Sequence, residues 1–212
     1  MRRKTLDLLL RKIRRIFYLF IGSKRGLGLP QTKELWETQY SGNTWDILYD
    51  KNEQEHYQAL SNLYSNSTKQ NSVLDIGCGE GVLYAYLNKA GCDNYQGIDL
   101  SETAIRKARM KYQEVDFVAA SGENFKPKTS FDCIIFNESL YYFSNPIKTL
   151  RYYEQYLATD GIFIISMCEY LGHSAIWENI NRNYFNKQKC QVKNTKGQIW
   201  NISAYSLNEQ LN

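Results

Sequence analysis

One glycine turn and one acid further along the chain carry the clearest chemistry in this sequence. Val73-Leu74-Asp75-Ile76-Gly77-Cys78-Gly79-Glu80-Gly81 sets three glycines after a stretch that reads as a strand and before one that reads as a helix. Such a turn needs residues without a Cβ, so that backbone N–H groups and the helix N-terminus can approach a ligand closely. The next strand-like stretch ends in Gly97-Ile98-Asp99, and Asp99 lies 22 residues after Gly77. An acid at about that distance can accept hydrogen bonds from both ribose hydroxyls of a nucleoside. The glycine turn alone would say little. Joined to its strand context and the strand-end acid, it points to a nucleoside site.

The elements that must position these residues follow from alternating periodicities. Strands are predicted at Ser72–Ile76, Tyr95–Leu100, Glu114–Ala119, Phe131–Asn137 and Gly161–Met167. Helices are predicted at Gly81–Lys89, Glu102–Tyr112, Pro146–Leu157 (proline at its start) and near Ala175–Asn183. Two further runs, Gln188–Asn194 and Gln198–Tyr205, flank Thr195-Lys196-Gly197 and read as a hairpin. Upstream, residues 31–70 read as helical and polar, broken by Ser41-Gly42-Asn43. Alternating β and α units imply an α/β fold: a mainly parallel sheet with helices on both faces, ending in an antiparallel pair.

The glycine spacing narrows the ligand. A dinucleotide site wants G-x-G-x-x-G/A. Here the third glycine comes one residue early, at Gly81, and Val82 stands where Gly or Ala is needed. At this point the sequence strongly resembles the class I S-adenosylmethionine-dependent methyltransferases, over residues 71–205. In that family the run matching Asp75–Gly81 wraps the amino-acid part of the cofactor, and the acid matching Asp99 holds its ribose. Phe131–Ser139 looks like the family's fourth strand and the loop at the active-site mouth, and Asp160–Ser166 looks like its fifth strand. The resemblance implies a Rossmann-like seven-stranded sheet in the order 3-2-1-4-5-7-6. It also implies a cofactor set of Asp75, Gly77, Cys78, Gly79, Gly81, Asp99, Leu100, Ser121, Gly122, Glu123 and Asn137. One departure stands out: many members place an Asp in the loop after the third strand, on the adenine amino group, and Ser121 aligns there. A hydroxyl accepts that bond more weakly than a carboxylate, so a degenerate cofactor site is the alternative.

Methyl transfer, as the resemblance implies it, is an in-line displacement at a carbon activated by a sulfonium charge. The protein aligns the groups and excludes water. A general base is needed only where the acceptor must lose a proton early, as a sugar or phenol hydroxyl does. Candidates follow the strand ends: Glu138, Tyr141 and Tyr142 after the fourth strand, Glu169 and His173 after the fifth. His173 leads because its unperturbed pKa lies near neutrality, against a purely structural role. Glu138 is the second choice, with contact to the cofactor's amino group as its alternative, and Tyr141 completes the catalytic set. Trp36, Tyr40 and Trp45 stand where the family often places a lid; the alternative is a plug for the open end of the sheet. Trp177 and Trp200 read as core.

Charge divides the chain. Of 212 residues with a net charge of +4, residues 1–25 hold nine Lys/Arg against Asp7 alone, a net of +8; the remainder carries −4. The body therefore lacks the clustered basic face of a nucleic-acid binder. In the tail, Leu6, Leu9, Leu10, Ile13, Ile16, Phe17 and Phe20 follow helical spacing with basic residues between them. The longest apolar run, Ile16–Ile21, is too short for a membrane span or a signal peptide. It reads as an amphipathic helix on an anionic bilayer surface, or as one packed on the body, with Gly22, Gly26, Gly28 and Pro30 as a flexible joint. Five widely spaced cysteines without a CxxC or Cys/His pattern argue against a zinc site or a disulfide framework, and no metal is expected. The expected organisation is a basic leader over 1–29, a helical cap over 30–70 and a cofactor domain over 71–212.

Trp36, Tyr40, Gly42 and Trp45, with the Gly197–Trp200 hairpin, also look similar to bacterial methyltransferases of surface-polysaccharide assembly. The resulting expectation is O-methylation of a small-molecule, glycan or lipid-linked acceptor by a cytoplasmic enzyme peripheral to the inner membrane. The alternatives are a quinone or other lipid-like acceptor, and a non-catalytic cofactor-binding subunit of a membrane assembly.

Overall fold

Side-chain alternation along the strands dictates the layering. In β4 (Phe131–Asn137), Cys133 and Ile135 bury on one face of the sheet, Ile134 and Phe136 on the other. The computed structural model describes residues 12–67 and 72–207. Six further strands complete the sheet: β1 (Ser72–Ile76), β2 (Asn94–Asp99), β3 (Asp116–Ala119), β5 (Leu157–Cys168), β6 (Phe185–Lys193) and β7 (Ile199–Ser206). Their order is β3-β2-β1-β4-β5-β7-β6, as expected. β1 to β5 pair in parallel, while β7 runs antiparallel to both β5 and β6. The strand order reverses between β1 and β4, which opens a crevice at their carboxyl ends.

The described residues open with α1, helical over residues 12–17, followed by α2 (Lys33–Ser41), α3 (Lys51–Ser67), α4 (Val82–Lys89), α5 (Glu102–Lys111), α6 (Pro146–Glu154) and α7 (His173–Asn183). Tyr57, Leu60, Leu63 and Tyr64 of α3 share one core layer with Leu83 and Leu87 of α4 and Ile105 of α5. Leu150 and Tyr153 of α6 and Ile176 and Ile180 of α7 fill the opposite layer. Trp200 is buried, and Trp177 packs against the second layer, in line with their reading as core. Side-chain caps fix three helix starts: Thr32, Ser101 and Asn145 accept from Leu35, Ala104 and Lys148 N–H respectively, and Pro146 opens α6.

Two expectations shift. β5 starts four residues earlier than its apolar run, because the register slips between Phe131 and Cys133, with Asp160 at φ 63°. The glycine-rich joint after α1 is packed rather than loose. Gly28 presses on the Phe143 carbonyl, Leu29 N–H donates to Tyr141 O at 2.8 Å, and Asn179 Nδ2 donates to Arg25 O at 2.9 Å. The glycines at 26 and 28 permit close approach of two backbones.

Candidate active site

The β1–α4 turn is built on three left-handed glycines: Gly77, Gly79 and Gly81 have φ of 82°, 55° and 76°. A Cβ on Gly79 would lie 2.7 Å from the Tyr40 hydroxyl, and one on Gly77 would lie 2.6 Å from Ser139 Cβ. The turn therefore leaves a cradle that any larger residue would fill. It opens on a cavity of about 350 Å³ at the carboxyl ends of the strands.

Two buried carboxylates edge that cradle. Asp99 Oδ2 accepts from Gly79 N–H at 3.0 Å and Oδ1 from Ser101 N–H at 2.8 Å, leaving a lone pair on each oxygen. Burial pushes its carboxyl up to about 6, against the pull of those backbone bonds. Asp75 Oδ2 accepts from the Tyr95 hydroxyl at 2.7 Å, but its buried Oδ1 has no partner. Burial raises Asp75 to about 7, with the Tyr95 bond opposing. An orphaned, buried carboxylate oxygen beside a glycine cradle suits the ammonium of an amino-acid moiety. These residues fit S-adenosylmethionine.

Most of the sequence-derived cofactor set lines this cavity: Cys78, Leu100, Ser121, Gly122, Glu123 and Asn137 join Asp75, Gly77, Gly79 and Asp99. Gly81 does not; it caps α4 and closes under Phe117, where a Cβ would lie 2.8 Å from Cζ. Ser121 Oγ accepts from Glu123 N–H at 3.3 Å, while Tyr153 holds the Gly122 carbonyl at 2.7 Å.

Trp36, Tyr40 and Trp45 form a wall over the cavity. Trp36 stacks on Trp45 at 5.9 Å and meets Tyr142 edge-on at 4.8 Å. Glu37 fastens α2 to the start of α5, accepting from Glu102 N–H at 2.6 Å and Thr103 N–H at 3.3 Å. Below the wall, Glu80 is pinned by Lys107 and Lys111, each at 2.8 Å, and accepts from the Tyr49 hydroxyl at 3.0 Å. Burial pushes the Glu80 carboxyl up, but the two ammoniums hold it below its ordinary range.

Of the catalytic candidates, Glu138 and Tyr141 line the cavity and His173 does not. His173 lies behind Tyr141, stacked on that ring at 4.3 Å, with Nδ1 donating to Cys168 O at 2.6 Å. Burial lowers its pKa. The imidazole is thus spent on packing and on a backbone bond. A different histidine, missed in the sequence, reaches the cavity: His56 of α3, together with Glu53 and Tyr57 one turn apart. Its signal was concealed, since the polar run of α3 gives no hint that one face meets β5 and β7. Among the described residues, no Lys or Arg lines the cavity, whereas five carboxylates do: Glu53, Asp75, Asp99, Glu123 and Glu138.

Comparison with known proteins is consistent with this geometry. A family model described as a methyltransferase domain matches residues 49–211. The chain is 33% identical over 118 residues to the ubiquinone biosynthesis O-methyltransferase of Aromatoleum aromaticum, a match covering 53% of this chain and 45% of that one. It is 28% identical over 125 residues to the malonyl-[acyl-carrier protein] O-methyltransferase of Bacillus cereus, covering 58% and 45%. The matched region spans about half the length of these relatives. In three dimensions the chain resembles the N-methyltransferase NodS of Bradyrhizobium japonicum, solved with S-adenosyl-L-homocysteine, with a TM-score of 0.69 at 18% identity over 84% of this chain and 98% of that one. At that identity the likeness speaks for the fold.

Proposed function

Because the chain belongs to the class I S-adenosylmethionine-dependent methyltransferases, we propose that it methylates a ring hydroxyl on an uncharged, lipid-borne acceptor. The observation that carries this reading is the cavity's charge: five carboxylates and no Lys or Arg among the described residues. An anionic acceptor would find nothing to neutralise it. A flat sugar or phenol ring can lie against the indoles of Trp36 and Trp45. The cofactor, when bound, supplies a methyl group activated by the positive sulfonium. Asp99 holds its ribose, Asp75 and the Gly77–Gly79 cradle hold its amino-acid part, and Ser121 and Gly122 flank its base. Trp36, Tyr40 and Trp45 exclude water from the reacting groups.

The arm supports a membrane-borne acceptor. Ile13, Ile16, Phe17 and Phe20 are half or more exposed, at 52%, 55%, 50% and 70%. Tyr18, in contrast, is buried and donates to Leu171 O at 2.9 Å, so the arm adjoins Tyr170 and Leu171, which are 70% and 53% exposed. These side chains, with Lys12, Arg14 and Arg15 among them, suit an anionic bilayer surface. The expected basic leader before residue 12 lies outside the described residues. No helix among the described residues is long and apolar enough to cross a membrane.

Methyl-labelled S-adenosylmethionine supplied with membrane and soluble extracts separately tests the proposal. Label should enter chloroform-soluble material from the membrane fraction. Mild acid then distinguishes a glycolipid, which releases a methylated sugar, from a methylated quinol, which keeps its label. Label confined to water-soluble products would overturn the lipid-borne reading.

A further inference from the structure

Glu138 is held unlike any other residue of the cavity. Directly after β4, it adopts φ 54°, a conformation that costs a residue with a side chain of order 1–3 kcal/mol. Its carboxylate is met by neutral donors, the Cys168 thiol among them, and by no cation. Ser166 Oγ donates to Oε1 at 3.0 Å, and Cys168 N–H and the Tyr141 hydroxyl donate to Oε2 at 3.0 and 3.2 Å. The Ser166 hydrogen being committed to Glu138, its oxygen accepts from His56, whose Nε2 is 2.9 Å away. This direction requires the Nε2–H tautomer of His56. Its ring is buried and stacks on Trp200 at 5.1 Å and 6°, while Nδ1 has no partner.

We propose that His56 and Ser166 are positioning residues, forming a directed chain from His56 Nε2–H through Ser166 Oγ–H that holds Glu138 as the base for the acceptor hydroxyl. This rests on the hydroxyl-acceptor reading above. The acceptor's O–H bond breaks, with its proton passing to the Glu138 carboxylate. The same oxygen bonds the methyl carbon, and the methyl–sulfur bond breaks with its electron pair left on sulfur. One carboxylate charge and one sulfonium charge disappear together, so no net charge is stranded in the cavity.

The surroundings agree. Burial pushes Glu138 up to about 7, against the bonds from Cys168, Ser166 and Tyr141. His56, pushed down to about 4 by burial, stays neutral and does not compete for the proton. The other titratable groups facing this chain are Glu53 and Tyr57 of α3, Asp75 of β1, Tyr141 and Tyr142 after β4, Cys168 of β5 and His173 behind Tyr141. None is a cation that would hold Glu138 ionised at low pH. Without Ser166 one donor to the charged form is lost, and burial pushes the carboxyl further up.

The test needs no acceptor. The chain has two histidines, so a His173→Gln variant assigns both by ¹⁵N NMR. His56 should be the neutral Nε2–H tautomer at pH 8, where Glu138 is ionised, and should stay neutral at pH 5. The Cys168 amide, bonded to Glu138, should show an inflection near pH 7 that vanishes in Glu138→Gln. In Ser166→Ala it should move up by at least half a pH unit, and in His56→Phe it should move in the same direction. Ser166→Cys serves where the alanine variant does not fold. An Nδ1–H tautomer, or an inflection unmoved in both variants, overturns the proposal. With a labelled acceptor in hand, the acid limb of the pH–rate profile should follow the same shifts. Shifted inflections with no methylated hydroxyl in any extract would refute the hydroxyl reading alone, leaving the chain intact.

Discussion

Asp99 lines the cavity, and its replacement removes the ribose contact together with its bonds to Gly79 and Ser101 N–H. Two charge-assisted bonds contribute ~1.5–3 kcal/mol each, and Asp99→Ala should weaken cofactor binding at least tenfold by calorimetry while the fold survives. Ser121→Asp should bind the cofactor equally or more tightly, since a carboxylate accepts the stronger bond. A marked loss would mean that the loop after β3 does not meet the adenine. Asp75 makes a pH prediction. Its folded pKa, about 7, lies above the unfolded value of about 3.9, so the folded state binds the extra proton. The resulting stability is fully present below pH ~4 and is lost as pH rises through ~7. Asp75→Asn, which keeps an acceptor for Tyr95, should raise Tm by several degrees at pH 8 and by much less at pH 4. An equal gain at both would show that Asp75 does not titrate as its burial implies. The glycine turn and Asp99 were readable in the sequence because their spacing is local. Of the two roles offered for His173, base or structural, the geometry favours the second, and no local pattern reveals that the imidazole faces Cys168 O and the back of Tyr141.

At the scale of elements, Glu80 joins the short helical turn bearing Tyr49 to α5 through two lysines. Those lysines stay partly exposed, so Glu80→Gln should cost less than the ~3–5 kcal/mol of breaking a fully buried pair. We expect about 1–2 kcal/mol in urea unfolding, together with weaker cofactor binding, because residue 80 sits inside the glycine turn. Unchanged stability would mean that the bridges are solvated in solution. Strand and helix types were legible throughout the sheet, as alternation and helical periodicity differ sharply there. Two boundaries moved at residues of positive φ: Gly81 at φ 76° starts α4 one residue late, and Asp160 at φ 63° lies where β5 begins early. Packing of the N-terminal segment on the body is one of the two readings its sequence allows, but its joint reads as flexible, since Gly26 and Gly28 suggest freedom in a sequence and act as contact surfaces in the fold.

For the molecule as a whole, the site combines residues that the sequence separates widely. His56 and Ser166 lie 110 positions apart, and no spacing rule connects them. The arm supplies the prediction at this scale. Replacing Ile16 and Phe20 with serine alters side chains that are 55% and 70% exposed and carry no core contact. The double variant should keep its Tm and cofactor affinity, yet lose sedimentation with anionic vesicles. Wild-type binding should weaken with salt as screening shortens below the ~8 Å of physiological ionic strength, and it should be absent with neutral vesicles. A variant that unfolds, or that still binds, removes the membrane surface from the reading.

The stacking of His56 on Trp200 has a consequence for synthesis on the ribosome. α3 emerges early, but its inner face meets β6 and β7, which follow every other strand of the sheet in the chain. Until β7 leaves the exit tunnel, Tyr57, Leu60 and Tyr64 have only part of their covering, and His56 has no indole against it. Nascent chains stalled before residue 199 should therefore hold the nucleotide-binding turn in a sheet whose base is still unassembled. Such chains are the ones a chaperone would find sticky. Cofactor protection against a protease should appear only once β7 has left the tunnel, as one late event rather than by degrees.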